Sequence, residues 1–186
     1  MTYRLAPEHK WPGQLEDGIE ALRLVQERVS DFGGDPDRLV VAGHSAGGQI
    51  AAMAVLSGKV APVRACMPIS SPMDLRYGRV PSETGKGRVY RYLLQAPEDD
   101  VDASPICKLE GRTTPFHLLW GERDFEHIRD SCTRMCEALR ANGQPVTQRV
   151  EPGAGHFDTH LQLNDAGDGW YRVFRSFVGL SPENAG

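Results

Sequence analysis

The sequence lacks an apolar run of the length that a membrane-spanning helix needs, and it shows no signal-peptide pattern. It also lacks an excess of basic residues, because 21 lysines and arginines are outnumbered by 25 acidic residues, for a net charge of −4. These absences argue against a membrane span and against a nucleic-acid-binding face. We therefore expect a cytoplasmic protein with neither a membrane nor a nucleic acid as partner.

Cysteine is scarce, and no two of the four cysteines form a Cys-x-x-Cys pair. Cys132 and Cys136 lie four residues apart in a segment predicted to be helical. We expect them to face the core as thiols rather than to form a disulfide. The histidines show no metal-ligand spacing on a predicted helix, so the sequence indicates no metal site.

Apolar periodicity predicts strands that alternate with helices along the 186 residues, a length sufficient for one domain with a core. The predicted strands are 38–42, 63–70, 115–120 and 145–150, and residues 1–5 resemble the end of another. Helices are predicted for about 16 residues from Leu15, for 49–56, near 89–94, from Ile128 to Leu139 and from Trp170 to Val178. This alternation predicts a single α/β domain, 1–186, with a mostly parallel sheet and helices on both faces. The aperiodic segment 72–110 is either a lid or an ordinary surface crossover.

A nucleophile elbow is predicted at residues 43–47, Gly-His-Ser-Ala-Gly, which fit the G-x-S-x-G pattern between a buried strand and a helix. Such a turn lifts the Ser45 hydroxyl above the edge of the sheet. We expect no room for a Cβ at Gly43 or Gly47, and a strained backbone at Ser45. The Ala46 N–H, at the start of the helix, is placed to stabilise an oxyanion.

Two further polar residues follow predicted strands, Asp124 after 115–120 and His156 after 145–150. Because the carboxyl ends of parallel strands meet at one edge, Ser45, Asp124 and His156 should lie together. Neutral His156 can take the proton of Ser45 and later return it to a leaving group. Asp124 can hold the His156 tautomer and stabilise the imidazolium. The sequence thus predicts a catalytic triad.

Other residues compete for these roles. Glu122 and Asp158 are alternatives for the acid. The remaining histidines are expected to be structural: His44 should point elsewhere if Ser45 points up, and His117 lies in mid-strand. His156 is preferred as the base because it lies in a glycine-rich loop after the last strand.

At these residues the chain resembles the α/β-hydrolase superfamily, and within it the esterases related to hormone-sensitive lipase and to kynurenine formamidase (arylformamidase). The matching stretches are Y-R-L-A-P-E at 3–8, G-H-S-A-G-G at 43–48, G-E-R-D at 121–124 and H-F-D at 156–158. His44 departs from the aspartate usual in hormone-sensitive-lipase-like esterases and is similar to the formamidase pattern.

The resemblance implies a serine hydrolase that cleaves small carboxylic esters through an acyl-enzyme on Ser45. An arylformamidase is the first alternative, and a non-catalytic remnant of a hydrolase is the second. No cofactor is implied, because the triad supplies nucleophile, base and oxyanion stabilisation by itself.

One departure concerns the amino terminus. The family carries an H-G-G-type oxyanion loop well before Y-R-L-A-P, whereas only two residues precede Tyr3 here. The resemblance therefore implies an α/β-hydrolase fold that lacks its first strands and one oxyanion donor. The predicted strand 38–42 would then be an exposed sheet edge, and a homodimer along this edge is possible.

Overall fold

The sheet is parallel and has four strands in the order in which they occur along the chain. In the computed structural model, which describes residues 1–76 and 85–180, the strands are β1 Val40–His44, β2 Ala65–Ile69, β3 Phe116–Gly121 and β4 Val146–Glu151. The register aligns Val41 with Cys66 and Leu119 with both Ile69 and Arg149. The predicted parallel sheet is confirmed.

Seven α-helices connect and flank these strands in the described residues. They are α1 Gly13–Arg28, α2 Ala46–Leu56, α3 Gly85–Leu93, α4 Asp99–Asp102, α5 Glu126–Ala141, α6 Asp158–Leu161 and α7 Gly169–Phe177. Helix α1 has the predicted 16 residues. It ends before a short 3-10 turn, after which Gly33 adopts a left-handed conformation.

Successive side chains of β3 point to opposite faces of the sheet, and each face is covered by helices. Leu118 packs with residues of α1, α2 and α5, and Leu119 packs with Trp170 of α7. Cys132 and Cys136 are buried free thiols in the first of these layers, as their spacing predicts. The prediction of helices on both faces is therefore confirmed.

The amino-terminal prediction is wrong, because residues 1–5 form no strand. Arg4 instead fastens this segment to α1: its backbone N–H donates to Asp17 Oδ2 at 2.8 Å, and its guanidinium pairs with Asp17 and Glu16. The first strand also begins two residues later than predicted. Its expected start is occupied by the 3-10 turn Pro36–Arg38, which Asp35 caps by accepting from the Asp37 N–H at 2.9 Å.

The three predicted site residues follow different strands of this sheet. Ser45 comes directly after β1, Asp124 three residues after β3, and His156 five residues after β4. The strands are parallel, so all three residues lie at the carboxyl edge of the sheet.

Candidate active site

Ser45 occupies a strained turn between β1 and α2. Its φ of 53° and ψ of −124° are values that side-chain-bearing residues rarely adopt. Its N–H donates to the Ile69 carbonyl at 2.9 Å, and its carbonyl accepts from Gly48 and Gln49 at 3.1 and 3.2 Å. The strain predicted from the motif is confirmed, and these bonds hold the turn in place.

The glycines of the motif differ in how much space surrounds them. A Cβ at Gly43 would lie 2.5 Å from the Gly47 carbonyl group, so this position is as crowded as predicted. The prediction for Gly47 is wrong, since a Cβ placed there meets nothing within 4 Å apart from its chain neighbours and the backbone of its own helix. Gly48 is the second crowded position, where a Cβ would lie 1.9 Å from Ser71 Oγ. Close approach of β1, α2 and the Ser71 turn accounts for both.

Ser45, His156 and Asp124 form a continuous hydrogen-bonded chain. The distance from Ser45 Oγ to His156 Nε2 is 3.0 Å, and from His156 Nδ1 to Asp124 Oδ1 it is 2.8 Å. The Asp124 side chain is fully buried and that of His156 is 8% exposed. With Nδ1 bonded to the carboxylate, the neutral imidazole presents the lone pair of Nε2 to the serine hydroxyl.

The two rival carboxylates lie elsewhere and hold the loop that carries His156. Glu122 Oε2 accepts from the Gly153 N–H, and Asp158 Oδ2 accepts from the Gly155 N–H, each at 2.7 Å. Neither is hydrogen-bonded to the His156 ring in the described part of the chain. The geometry thus favours Asp124 as the acid.

We expected His44 to point away from the site, but the structure places its ring beside His156. Its Nε2 lies 2.8 Å from the His156 carbonyl oxygen, and its ring centroid lies 4.8 Å from that of His156 and 4.3 Å from that of His160. Burial lowers the pKa of His44. His117 is a buried residue of β3, as expected; it bonds Thr147, and burial, helped by the charge of Arg149, lowers its pKa to about 4.

A cavity of about 470 Å³ opens onto Ser45 and His156. Its walls are mainly apolar and are lined by Leu75, Val89, Leu93, Phe125 and Ile128. Val89 and Leu93 belong to α3, which lies within the segment interpreted as a lid. The lid itself stays a prediction, and its residues 77–84 lie outside the described ranges.

Ala46 is the first residue of α2 and lines the same cavity. The first N–H groups of a helix have no partner within the helix, so Ala46 stays the predicted oxyanion donor. No grouping of three or more metal-binding side chains occurs in residues 1–76 and 85–180. Within those same ranges, no helix combines the length and apolarity needed to cross a membrane.

Several residues that contact His156 in the structure were not among the predicted site residues. Thr159 Oγ1 donates to the His156 carbonyl at 3.0 Å, and Ser70 Oγ lies 2.8 Å from Thr159 Oγ1. Ser70 has a φ of 47°, which no sequence pattern reveals. Phe157, whose ring stacks edge-on against His156 at 5.1 Å, could have been suspected only from its adjacency.

Curated proteins with similar sequences include esterases. Esterase LipC of Mycobacterium tuberculosis is 32% identical over 175 residues, which cover 84% of this chain and 43% of LipC. Carboxylesterase NlhH of the same organism is 55% identical over 53 residues, which cover 28% of this chain and 17% of NlhH. The chain thus spans less than half the length of these relatives.

Solved structures of esterases share the fold. An esterase of Pyrobaculum calidifontis superposes with a TM-score of 0.79 at 24% identity, covering 95% of this chain and 64% of that one. The thermophilic carboxylesterase EstE1, cloned from a metagenomic library, gives 0.73 at 30% identity and covers 97% and 68%. The sequence model of the α/β-hydrolase fold matches residues 1–159. The chain belongs to the α/β-hydrolase family.

Proposed function

We propose that this chain is a carboxylesterase-like serine hydrolase that cleaves small carboxylic esters through an acyl-enzyme on Ser45. The observation that carries the proposal is the hydrogen-bonded chain from Ser45 Oγ through His156 to the buried Asp124. The curated names of LipC and NlhH, an esterase and a carboxylesterase, support the same reaction class.

The mechanism follows from this arrangement. Ser45 Oγ attacks the ester carbonyl while its proton passes to His156 Nε2, and the Ala46 N–H stabilises the oxyanion. Collapse of the tetrahedral intermediate breaks the bond to the alkoxy oxygen, which leaves as alcohol with the proton from His156. Water, activated by His156, then attacks the acyl-enzyme and releases the carboxylic acid and free Ser45. Asp124 stabilises the imidazolium in both halves of the cycle.

The substrate class follows from the cavity. A space of about 470 Å³ with mostly apolar walls suits a small acyl or alkyl group and offers few polar groups to bind a charged one. Ala46 is the single backbone oxyanion donor that we identify in the described residues. Loss of one donor typically lowers kcat about 10²–10³-fold, so we expect slow turnover from this chain alone.

The direct test is hydrolysis of p-nitrophenyl acetate by the 186-residue chain beside Ser45→Ala. We expect the wild type to turn over and Ser45→Ala to be inert. Ser30→Ala is the matched control, because Ser30 is exposed, lies in the turn after α1 and does not line the cavity at Ser45. Labelling with an organophosphonate should add mass to the peptide that contains Ser45. A folded chain that neither turns over nor labels would contradict the proposal and favour the non-catalytic remnant.

An arylformamidase is the second candidate, favoured by His44 in the elbow, which resembles the formamidase pattern. Both reactions use the same nucleophile, base and acid, so the site geometry does not separate them. Parallel assays on an aryl ester and on an N-formyl aryl amine will distinguish the two reactions. We expect the ester to be the better substrate, and faster deformylation would replace the esterase assignment.

A further inference from the structure

The backbone carbonyl of His156 receives two side-chain hydrogen bonds. His44 Nε2 approaches its oxygen at 2.8 Å, and Thr159 Oγ1 approaches at 3.0 Å. These groups come from opposite sides of the loop: His44 is the last residue of β1, and Thr159 is the second residue of α6. The carbonyl of the proposed base is therefore held from both the sheet and the loop that follows it.

The Thr159 hydroxyl is in turn held by Ser70. Both residues are fully buried, and their oxygens lie 2.8 Å apart. Thr159 has one hydroxyl proton, which it donates to the His156 carbonyl, so Ser70 must donate to Thr159. Ser70 is fixed by its own N–H, which donates to the Leu119 carbonyl at 2.7 Å, and it retains a φ of 47°. A buried non-glycine residue keeps such a backbone only where its surroundings impose it.

His44 has one proton to offer. Burial lowers the pKa of its imidazole, and His160, His156 and Asp124 are the titratable groups that face it. In the neutral ring the proton must be on Nε2, because that atom faces a carbonyl oxygen, which can only accept. His44, the residue directly before Ser45, thus donates its Nε2–H to the backbone carbonyl of His156.

The loop needs such support because of its composition. Residues 153–155 are Gly-Ala-Gly, and Gly153 has a φ of 69°, so this backbone has more conformational freedom than one of larger residues. Glu122 and Asp158 accept from the Gly153 and Gly155 N–H groups but do not contact the His156 carbonyl by a hydrogen bond in the described residues. A free pivot of this backbone would move the imidazole relative to Ser45 and Asp124. A displacement of about 1 Å typically costs 10²-fold in rate.

We propose that His44, Thr159 and Ser70 are positioning residues that lock the His156 carbonyl and thereby hold its ring between Ser45 and Asp124. The inference rests on the proposed function, in which His156 is the base. It assigns a role to His44 of the elbow and to Ser70, the strained residue directly after β2.

The kinetic test compares donors with their isosteres. We expect Thr159→Val and His44→Leu each to lower kcat about tenfold with KM changed less than twofold, since one donor remains in each. Thr159→Ser and His44→Gln keep a donor at a similar reach and should restore most of kcat. The double variant, Thr159→Val with His44→Leu, should lose more than the product of the two single losses. A double variant with wild-type kcat would overturn the proposal.

A spectroscopic readout separates this proposal from the proposed function. The His156 Nδ1–H that bonds Asp124 is followed by NMR in ¹⁵N-histidine-labelled protein, whether or not the protein turns over ester. We expect a protected resonance in the wild type, exchange-broadened in the double variant and retained in Thr159→Ser. An unchanged resonance in the double variant would overturn the proposal even if Ser45 proves unreactive.

Ser70→Gly tests the same network in a variant that we expect to fold, in case the other variants do not. Glycine accepts the φ of 47° without strain, so this variant should fold at least as well as the wild type. It removes the donor to Thr159, and we expect about a threefold lower kcat and faster exchange of the His156 Nδ1–H. Wild-type exchange in a folded Ser70→Gly would remove Ser70 from the network.

Discussion

At the scale of single residues, the largest effect on kcat after that of Ser45 is expected from a substitution of Asp124. Asp124→Asn keeps the shape but cannot hold the imidazole tautomer, and the same change in a known triad lowers kcat about 10⁴-fold. We expect a loss of that order here, with little change in KM, measured as p-nitrophenyl acetate hydrolysis or as the rate of phosphonate labelling of Ser45.

Glu122→Gln and Asp158→Asn are the matched controls for Asp124. Both carboxylates accept from backbone N–H groups of the His156 loop, so their neutral isosteres should lower kcat only several-fold. If Asp158→Asn costs as much as Asp124→Asn, the assignment of the acid is wrong.

Gly48 is expected to be the least tolerant glycine of the elbow helix. A Cβ there would lie 1.9 Å from Ser71 Oγ and 2.5 Å from the Gly43 carbonyl oxygen. Gly48→Ala should therefore lower the free energy of unfolding by about 1–3 kcal/mol, measured by chemical denaturation. Gly47→Ala is the control and should cost little, because a Cβ there meets nothing within 4 Å outside its own helix and chain neighbours. Equal losses in the two variants would refute the steric explanation.

The residues of the site show where sequence reasoning succeeds and where it stops. Ser45, Asp124 and His156 could be predicted because each follows a strand and parallel strands bring their ends together. His44, Ser70 and Thr159 could not, because their contact depends on loop paths and on a positive φ at Ser70. The room at Gly47 was missed for a similar reason, since it depends on which neighbours pack beside α2.

At the scale of elements, a buried carboxylate joins the loop after β2 to α5. Asp74 is 1% exposed and accepts from Arg76 at 2.8 and 2.9 Å and from Arg134. Burial opposes its ionisation, yet the hydrogen bonds from Arg76 and Arg134 lower the pKa of Asp74 to about 2. This ion cluster anchors the start of the segment that leads to α3.

The folded pKa of Asp74 lies below its unfolded value of about 3.9, so the stabilisation is present above pH 4. It is lost as the pH falls through the folded pKa near 2. We expect Asp74→Asn to lower the free energy of unfolding by about 2 kcal/mol at pH 7, with the difference from wild type disappearing near pH 2. Denaturation midpoints from pH 7 to pH 2 measure this. Asp31→Asn, which breaks an exposed pair with Arg28, should show no such pH dependence.

The elements also show the limits of pattern reading. Every predicted strand after residue 37 exists. The signal is strong for β2 and β3, which are buried along their whole length, whereas β4 is an edge strand with no fully buried residue. Residues 1–5 have a similar local pattern but pair with no strand in the described residues, and the Arg4 N–H donates to Asp17 instead. A strand needs a neighbouring strand, and the local sequence does not contain that information.

At the scale of the whole molecule, β1 pairs only with β2 within the described residues, so its other side is a sheet edge. A groove of about 410 Å³ runs beside it, lined mainly by apolar residues of α1, β1 and α2, among them Leu22, Val41 and Ile50. Such edges favour pairing between chains. The homodimer predicted from the sequence would join two copies at this edge.

We expect the sedimentation coefficient to rise with protein concentration if two copies pair through β1. Ala42→Lys places a charge on this exposed strand and should keep the protein monomeric. A wild-type chain that stays monomeric and soluble at high concentration would refute the homodimer.

The room at Gly47 is a consequence of this groove, since Gly47 lines it together with Gly43 and the β1 residues. A substitution at Gly47 can therefore report whether the groove beside β1 is filled. With the groove open, an alanine methyl at Gly47 extends into empty space and costs nothing. A strand seated against β1 would fill this groove, so we expect Gly47→Ala to lower the free energy of unfolding more in a chain whose edge is covered than in one whose edge is open.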